Sequence, residues 1–245
     1  ALSRGGDQAV VNEFGKPLYY FGAKNEIKQT RSHVRGRVLA TSLSNLIKTD
    51  KNVLIMGHKN MDFDALGASL GVYAICKSLN TKAHFIFEDS LVEFQTKQAF
   101  RNVFSVEEIA EMTLTPAKAL QLVNDQTLVI VVDTHRSSFT EAPELLEKTS
   151  KIVVIDHHRK VTDSINDAIL SYHEIYASST CELVTELLQY MAKRVVIRQI
   201  EAEALYAGII IDTKNFTFKT GIRTFEAAAF LKKYGVDTIA VKQLF

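Results

Sequence analysis

The pattern of apolar and polar positions changes character at Lys51. Beyond it, short Val- and Ile-rich runs stand at residues 53–56, 83–87, 128–132 and 152–155. Between and after them, apolar residues recur at helical spacing over 65–79, 116–124, 142–148, 180–192, 201–211 and 224–234. Unbroken apolar runs separated by amphipathic stretches predict strands covered on both faces. The expected fold is therefore α/β, a mostly parallel sheet with helices on both faces, occupying residues 51–245. Before it, Val34, Val38, Leu39, Leu43, Leu46 and Ile47 fall on one helical stripe, with Arg31, Arg35 and Arg37 on other faces. This predicts a connector helix over 29–50. Residues 1–28 hold only Val10-Val11, turn signals at Gly5-Gly6 and Gly15-Lys16-Pro17, and the cluster Tyr19-Tyr20-Phe21. They suit a hairpin at most, and read as the tail of an upstream domain.

Composition narrows the function classes. At 47% apolar and 23% charged, the chain is far from the profile of disorder. Lys+Arg 29 against Asp+Glu 28 gives a net charge of +1, which argues against duplex nucleic acid as a partner and leaves only a local groove. No apolar run approaches the ~20 residues of a membrane helix, so no membrane contact is expected from this segment. Cys76 and Cys181 are isolated, which fits a reducing, cytoplasmic setting and excludes a disulfide framework or a Cys-rich zinc site.

Candidate chemistry lies where the apolar runs end. Residues 53–56 lead into Gly57-His58-Lys59-Asn60-Met61-Asp62-Phe63-Asp64, and residues 128–132 into Asp133-Thr134-His135. Residues 152–155 lead into Asp156-His157-His158, and the apolar stretch 207–211 into Asp212. Ligands of open α/β sheets bind outside the carboxyl ends of the strands. Any one of these Asp residues alone is an ordinary cap or turn residue. Together, His58, Asp62, Asp64, Asp133, His157 and Asp212 would crowd four carboxylates, which repel unless cations neutralise them. His and Asp without thiolate suit manganese, with iron, cobalt or magnesium as alternatives. The set exceeds what one ion needs and fits two ions sharing a carboxylate. Ser178-Ser179-Thr180 opens a helix and could bind phosphate there, although Ser179 and Glu182 also fit a capping box. Arg136, Arg159 and Lys160 adjoin the motifs as phosphate contacts or as solvated surface.

Asp156-His157-His158 after its strand, with His58-x-x-x-Asp62-x-Asp64 upstream, resembles the DHH phosphoesterase superfamily. Arg4-Gly5-Gly6-Asp7-Gln8, then Tyr20-Phe21-Gly22 and the Arg-rich helix, resembles the lead-in of its GdpP-type cyclic-di-AMP phosphodiesterases, the end of a degenerate GGDEF domain. The resemblance implies a DHH-type, Rossmann-like catalytic domain holding two manganese ions. One would sit on His58, Asp62 and Asp133, the other on Asp64, Asp133, His157 and Asp212, with Asp133 bridging. Asp156 would orient His157 or its strand end, and His158 would face the scissile phosphate. Met61 stands where the superfamily commonly has proline, which puts the stiffness of that loop in question. The implied reaction opens cyclic-di-AMP to linear pApA through a water activated by the two ions. A nano-RNase or single-strand exonuclease, and a non-catalytic metal- or nucleotide-binding module, are the alternatives. The superfamily's Gly-Gly-Gly-His segment is absent, so the substrate-gripping domain is expected outside this chain. The resemblance also implies a membrane anchor upstream and is compatible with a homodimer.

Overall fold

A computed structural model describes residues 33–50, 52–191 and 195–243, with the backbone of 8–11 and 19–22. It divides into two units, Ala1–Ser32 and His33–Phe245. In the first, β1 (Gln8–Val11) and β2 (Tyr19–Gly22) pair antiparallel, Gln8 opposite Gly22. The remainder of residues 1–28, and 29–32 of the expected connector, lie outside the described residues.

The second unit opens with α1 (His33–Thr49), β3 (Asn52–Met56), α2 (Phe63–Ser78) and β4 (Lys82–Ile86). It continues through α3 (Phe94–Val103), α4 (Val106–Met112), β5 (Thr113–Leu114), α5 (Pro116–Leu122), β6 (Thr127–Val132) and β7 (Ile152–Asp156). It ends with β8 (Leu170–His173), α6 (Thr180–Tyr190), α7 (Gln199–Asp212), α8 (Ile222–Lys232) and α9 (Thr238–Lys242). The sheet runs β5-β4-β3-β6-β7-β8 with every pairing parallel. Alternate strand residues feed two cores, as the pleat requires. Val53, Ile55, Leu128, Ile130 and Val153 join the larger core with α1, α2, α6 and α7. Leu54, Met56, Val129, Val131 and Val154 meet Ala119 of α5 and Ala142 and Leu145 beyond β6.

The chain moves outward from β3 through β4 to β5, then returns to β6 and moves the other way. The reversal between β3 and β6 opens a crevice at their carboxyl ends. His58 and Asp133 follow those two strands.

Three helices close over the crevice because their contacts are small. A Cβ on Gly67 of α2 would lie 2.5 Å from the Ala204 carbonyl oxygen of α7, and one on Gly208 of α7 would lie 3.0 Å from the Asp64 Cα. Both would also strike the Cys181 sulfur of α6. Helix α1 buries Ala40, Leu43 and Ile47, and Gly36 fits against Glu186 and Tyr190 of α6. Its basic residues are engaged, Arg35 with Glu174 at 3.8 Å and Arg37 over the Tyr190 ring.

The helix expected over 142–148 is a single 3-10 turn, Pro143–Glu147. Helices α3, α4 and α9 and strands β5 and β8 go beyond the sequence reading. β8 shows only Leu170 and Tyr172 as apolar residues, and β5 has two residues in all.

Candidate metal centre

Each site residue is placed by an element boundary. Asp62 is the N-cap of α2, its Oδ1 accepting from the Asp64 and Ala65 N–H groups at 3.0 Å. Asp64, in the first turn of α2, points into the fold, where Thr180 N–H and Cys181 N–H donate to its two oxygens at 2.7 and 2.8 Å. The helix N-terminus that the sequence offers as a phosphate site thus already holds an anion, the Asp64 carboxylate. Ser178 and Ser179 are buried beside it. Ser178 donates to Glu182 Oε2 from its N–H and its hydroxyl, while Ser179 Oγ accepts from Glu182 N–H.

His58 donates from Nδ1 to the Lys59 carbonyl at 2.8 Å, leaving Nε2 to face Asp62 Oδ1 at 3.6 Å and Asp133 Oδ2 at 3.4 Å. Phe139 stacks on its ring. The loop between is fastened by backbone pairing: Met61 N–H donates to Leu91 O and Glu93 N–H to Met61 O. A proline at 61 would lack the first of these donors, so the buried Met61 secures the loop by other means.

Asp133 stands at the centre. It is 2% exposed and holds φ +59, a left-handed conformation that costs energy for a non-glycine residue. Its Oδ2 faces His58, while its Oδ1 faces His157 Nε2 at 3.5 Å and accepts from Thr180 Oγ1 at 2.9 Å. His157 Nε2 also stands 3.7 Å from Asp64 Oδ2 and 3.3 Å from Asp212 Oδ2. Three groups with metal-ligand spacing result here: His58, Asp62 and Asp133; Asp64, His157 and Asp212; and Asp133, His157 and His158.

These gaps are too long for hydrogen bonds and short enough for shared coordination. Ligands at right angles on a cation with bonds of ~2.1 Å stand ~3 Å apart. Both ring nitrogens of His157 are buried with no hydrogen-bond partner. Electrostatics point the same way. Burial, then repulsion by Asp64 and Asp62, pushes Asp212 up to about 9. Burial and Asp64 raise Asp133 well above the carboxylate range. Burial would lower His58, yet the neighbouring Asp133 and Asp62 carboxylates carry it up to about 11. Protons are gathered where positive charge is lacking, so the residues present fit two divalent cations bridged by Asp133.

Asp156 reaches neither cluster. It is fully buried and accepts from His135 Nδ1, from His158 Nδ1 at 2.8 Å and from His158 N–H at 3.2 Å. Burial alone would raise its carboxyl, but His135 and His158 hold it below the usual range. Its partners are therefore His135 and His158, where the sequence suggests His157 or the end of its own strand. The His158 side chain is 54% exposed against 4% for His157, although its Nδ1 lies 3.7 Å from Asp133 Oδ1. Arg136 lays its guanidinium over the Phe139 ring at 5.3 Å. His135 carries no role in the sequence reading, and Thr180 only that of a hydroxyl at a phosphate-binding helix start, where the structure sets it on Asp133. His135 had a signal, a histidine two residues past Asp133 at a buried strand end; Thr180 had only its place at a helix start.

The pattern of the DHH family, N-terminal domain, matches residues 52–209. The cyclic-di-AMP phosphodiesterase GdpP of Bacillus subtilis is 40% identical over 99% of this chain. The cyclic-di-AMP phosphodiesterase PdeA of Listeria monocytogenes is 39% identical, also over 99%. The chain spans 37% of the length of each. The bifunctional oligoribonuclease and PAP phosphatase NrnA of Mycoplasma genitalium is 29% identical over 80% of this chain and 58% of its own length. Among solved structures, an exopolyphosphatase-related protein from Bacteroides fragilis superimposes with TM-score 0.72 at 19% identity, covering 85% of this chain and 60% of that one. That likeness concerns the fold alone. Among the described residues no helix is long and apolar enough to cross a membrane.

Proposed function

The chain belongs to the DHH family, and from that premise we propose that it hydrolyses a phosphodiester with two divalent cations, the substrate being cyclic-di-AMP and the product linear pApA. The observation that carries the reading is Asp133, whose two carboxylate oxygens face two separate His/Asp clusters. His58, Asp62 and Asp133 would hold one cation, and Asp64, Asp133, His157 and Asp212 the other. When bound, a manganese pair supplies an activated water and neutralises charge growing on the phosphate. The protein's own part is placement. Asp62 and Asp64 are fixed by helix N-termini, Nδ1 of His58 is spent on a carbonyl, and His158 is the exposed imidazole available to a phosphate oxygen. Of the candidate substrate contacts, Arg136 is exposed beside the site, whereas Ser178 and Ser179 are buried and engaged with Glu182.

The choice of substrate rests on extent. The two phosphodiesterase relatives align through the first fifty residues, outside the DHH match, whereas the oligoribonuclease covers 80% of the chain. The reading places residues 1–28 as the tail of a degenerate GGDEF domain, 29–50 as a connector and 51–245 as the catalytic domain. It also implies a cytoplasmic setting with a membrane anchor upstream. The test is turnover with manganese of cyclic-di-AMP, pApA, short RNA and pyrophosphate, by residues 1–245 and by a chain extended past Phe245. The expected result is pApA released from cyclic-di-AMP, faster in the extended chain. Preference for short RNA would install the oligoribonuclease reading instead.

A further inference from the structure

His135, Asp156 and His173 form a further group with metal-ligand spacing, sharing no residue with the groups above. Its donors are already committed. Val161 N–H donates to His135 Nε2 at 3.2 Å, which puts the ring proton on Nδ1, and Nδ1–H donates to Asp156 Oδ2. His173 Nε2 donates to the His158 carbonyl, and its ring packs 4.9 Å from that of His135. None of these three nitrogens faces a set of carboxylates in the way that His157 Nε2 faces three.

The network converges on one residue. His158 is held by Asp156 at Nδ1 and at its N–H, and by His173 at its carbonyl. Asp156 offers two oxygens, one for His158 and the other for His135. His135 also ties down the following loop, taking the Val161 N–H on its ring and the Ile165 N–H on its carbonyl at 2.8 Å. A carboxylate free to rotate would offer His158 either oxygen in several geometries; His135 leaves it one.

We propose that His135 is a positioning residue for the reaction: by clamping Asp156, it fixes the tautomer and orientation of the His158 imidazole at the mouth of the metal centre. The reaction is the phosphodiester hydrolysis inferred above, and the proposal rests on that reading. It predicts which substitutions are tolerated. In His135→Asn the amide nitrogen takes the place of Nδ1 and keeps the bond to Asp156. In His135→Gln the amide nitrogen takes the place of Nε2 and loses it.

Two measurements on residues 1–245 test this. Long-range proton–nitrogen NMR of the metal-free protein reads the His158 tautomer. The wild type and His135→Asn should show Nδ1–H, and His135→Gln a mixture with Nε2–H. With manganese and bis(p-nitrophenyl) phosphate, His135→Gln should lose about 10–100-fold in kcat with KM and metal content unchanged, and His135→Asn should recover most of it. An unchanged His158 spectrum and wild-type kcat in His135→Gln would overturn the proposal, as would equal damage from both variants. If the wild type itself fails to hydrolyse the ester, the phosphodiesterase reading falls, and the spectra alone decide the clamp.

Discussion

Asp133 concentrates the chemistry of the molecule into one side chain, and its cost is visible in the metal-free protein. A buried carboxylate beside Asp64, in a left-handed backbone conformation, is stable only if something cationic repays it. Asp133→Asn should therefore do opposite things to metal binding and to apo stability. Asparagine tolerates φ +59 and keeps an acceptor for Thr180 Oγ1, while the repulsion disappears. Metal-free Asp133→Asn should melt higher than wild type, each kcal/mol regained being worth ~2–4 °C in a chain of this size. Its manganese content after dialysis, read by elemental analysis, should fall further than that of Asp62→Asn. The latter keeps the α2 cap and lies in one cluster only. Full, equal metal content in the two variants would remove the bridge assignment.

At the scale of elements, the site exists because α2 and α7 touch at glycine. Asp212 lies four residues after Gly208, on the same helical face, and Asp64 lies three before Gly67. A methyl group at 208 would meet the Cys181 sulfur at 2.5 Å and Asp64 Cα and Oδ1 at 3.0 Å. Backbone cannot swing aside, so Gly208→Ala should push α7 outward and carry Asp212 away from His157. The expected cost is ~1–3 kcal/mol of stability, with a weaker second manganese affinity in calorimetric titration. An unaltered second affinity would mean that the helices need not be this close. None of this packing was legible in the sequence, where Gly67 and Gly208 are two glycines in apolar stretches. The central strands were legible because they are buried on both faces and read as unbroken Val/Ile runs. α3 was not: it buries only Thr96, Ala99 and Phe100, too thin a stripe to stand out. All six ligand candidates do converge, since strand ends at a switch point are where ligands gather. The pairing of Asp156 with His135 was hidden, because the sequence does not show that β6 and β7 lie side by side.

Across the whole molecule, folding and the site are joined through Glu141. Its Oε2 accepts the Gly57 N–H at 2.8 Å, at the foot of the His58 loop, and its Oε1 is buried without a partner. Burial pushes this carboxyl up to about 8, against ~4.3 in an unfolded chain. The sign follows from proton counting. Between those values the folded state holds a proton that the unfolded state has released, so stability falls as pH rises through the interval. The loss flattens once pH passes the folded value, and its slope for one proton is at most ~1.4 kcal/mol per pH unit. Glu141→Gln replaces the acid by an amide that still accepts from Gly57 and carries no proton to lose. Other buried groups titrate too, Asp212 and His58 among them, so the informative quantity is the difference between the two proteins. Urea denaturation of both metal-free proteins from pH 5 to pH 8 should give curves that diverge steadily, with the variant ahead at pH 8. Parallel curves would mean that Glu141 is ionised in the fold at neutral pH, with Oε1 satisfied by a partner such as water.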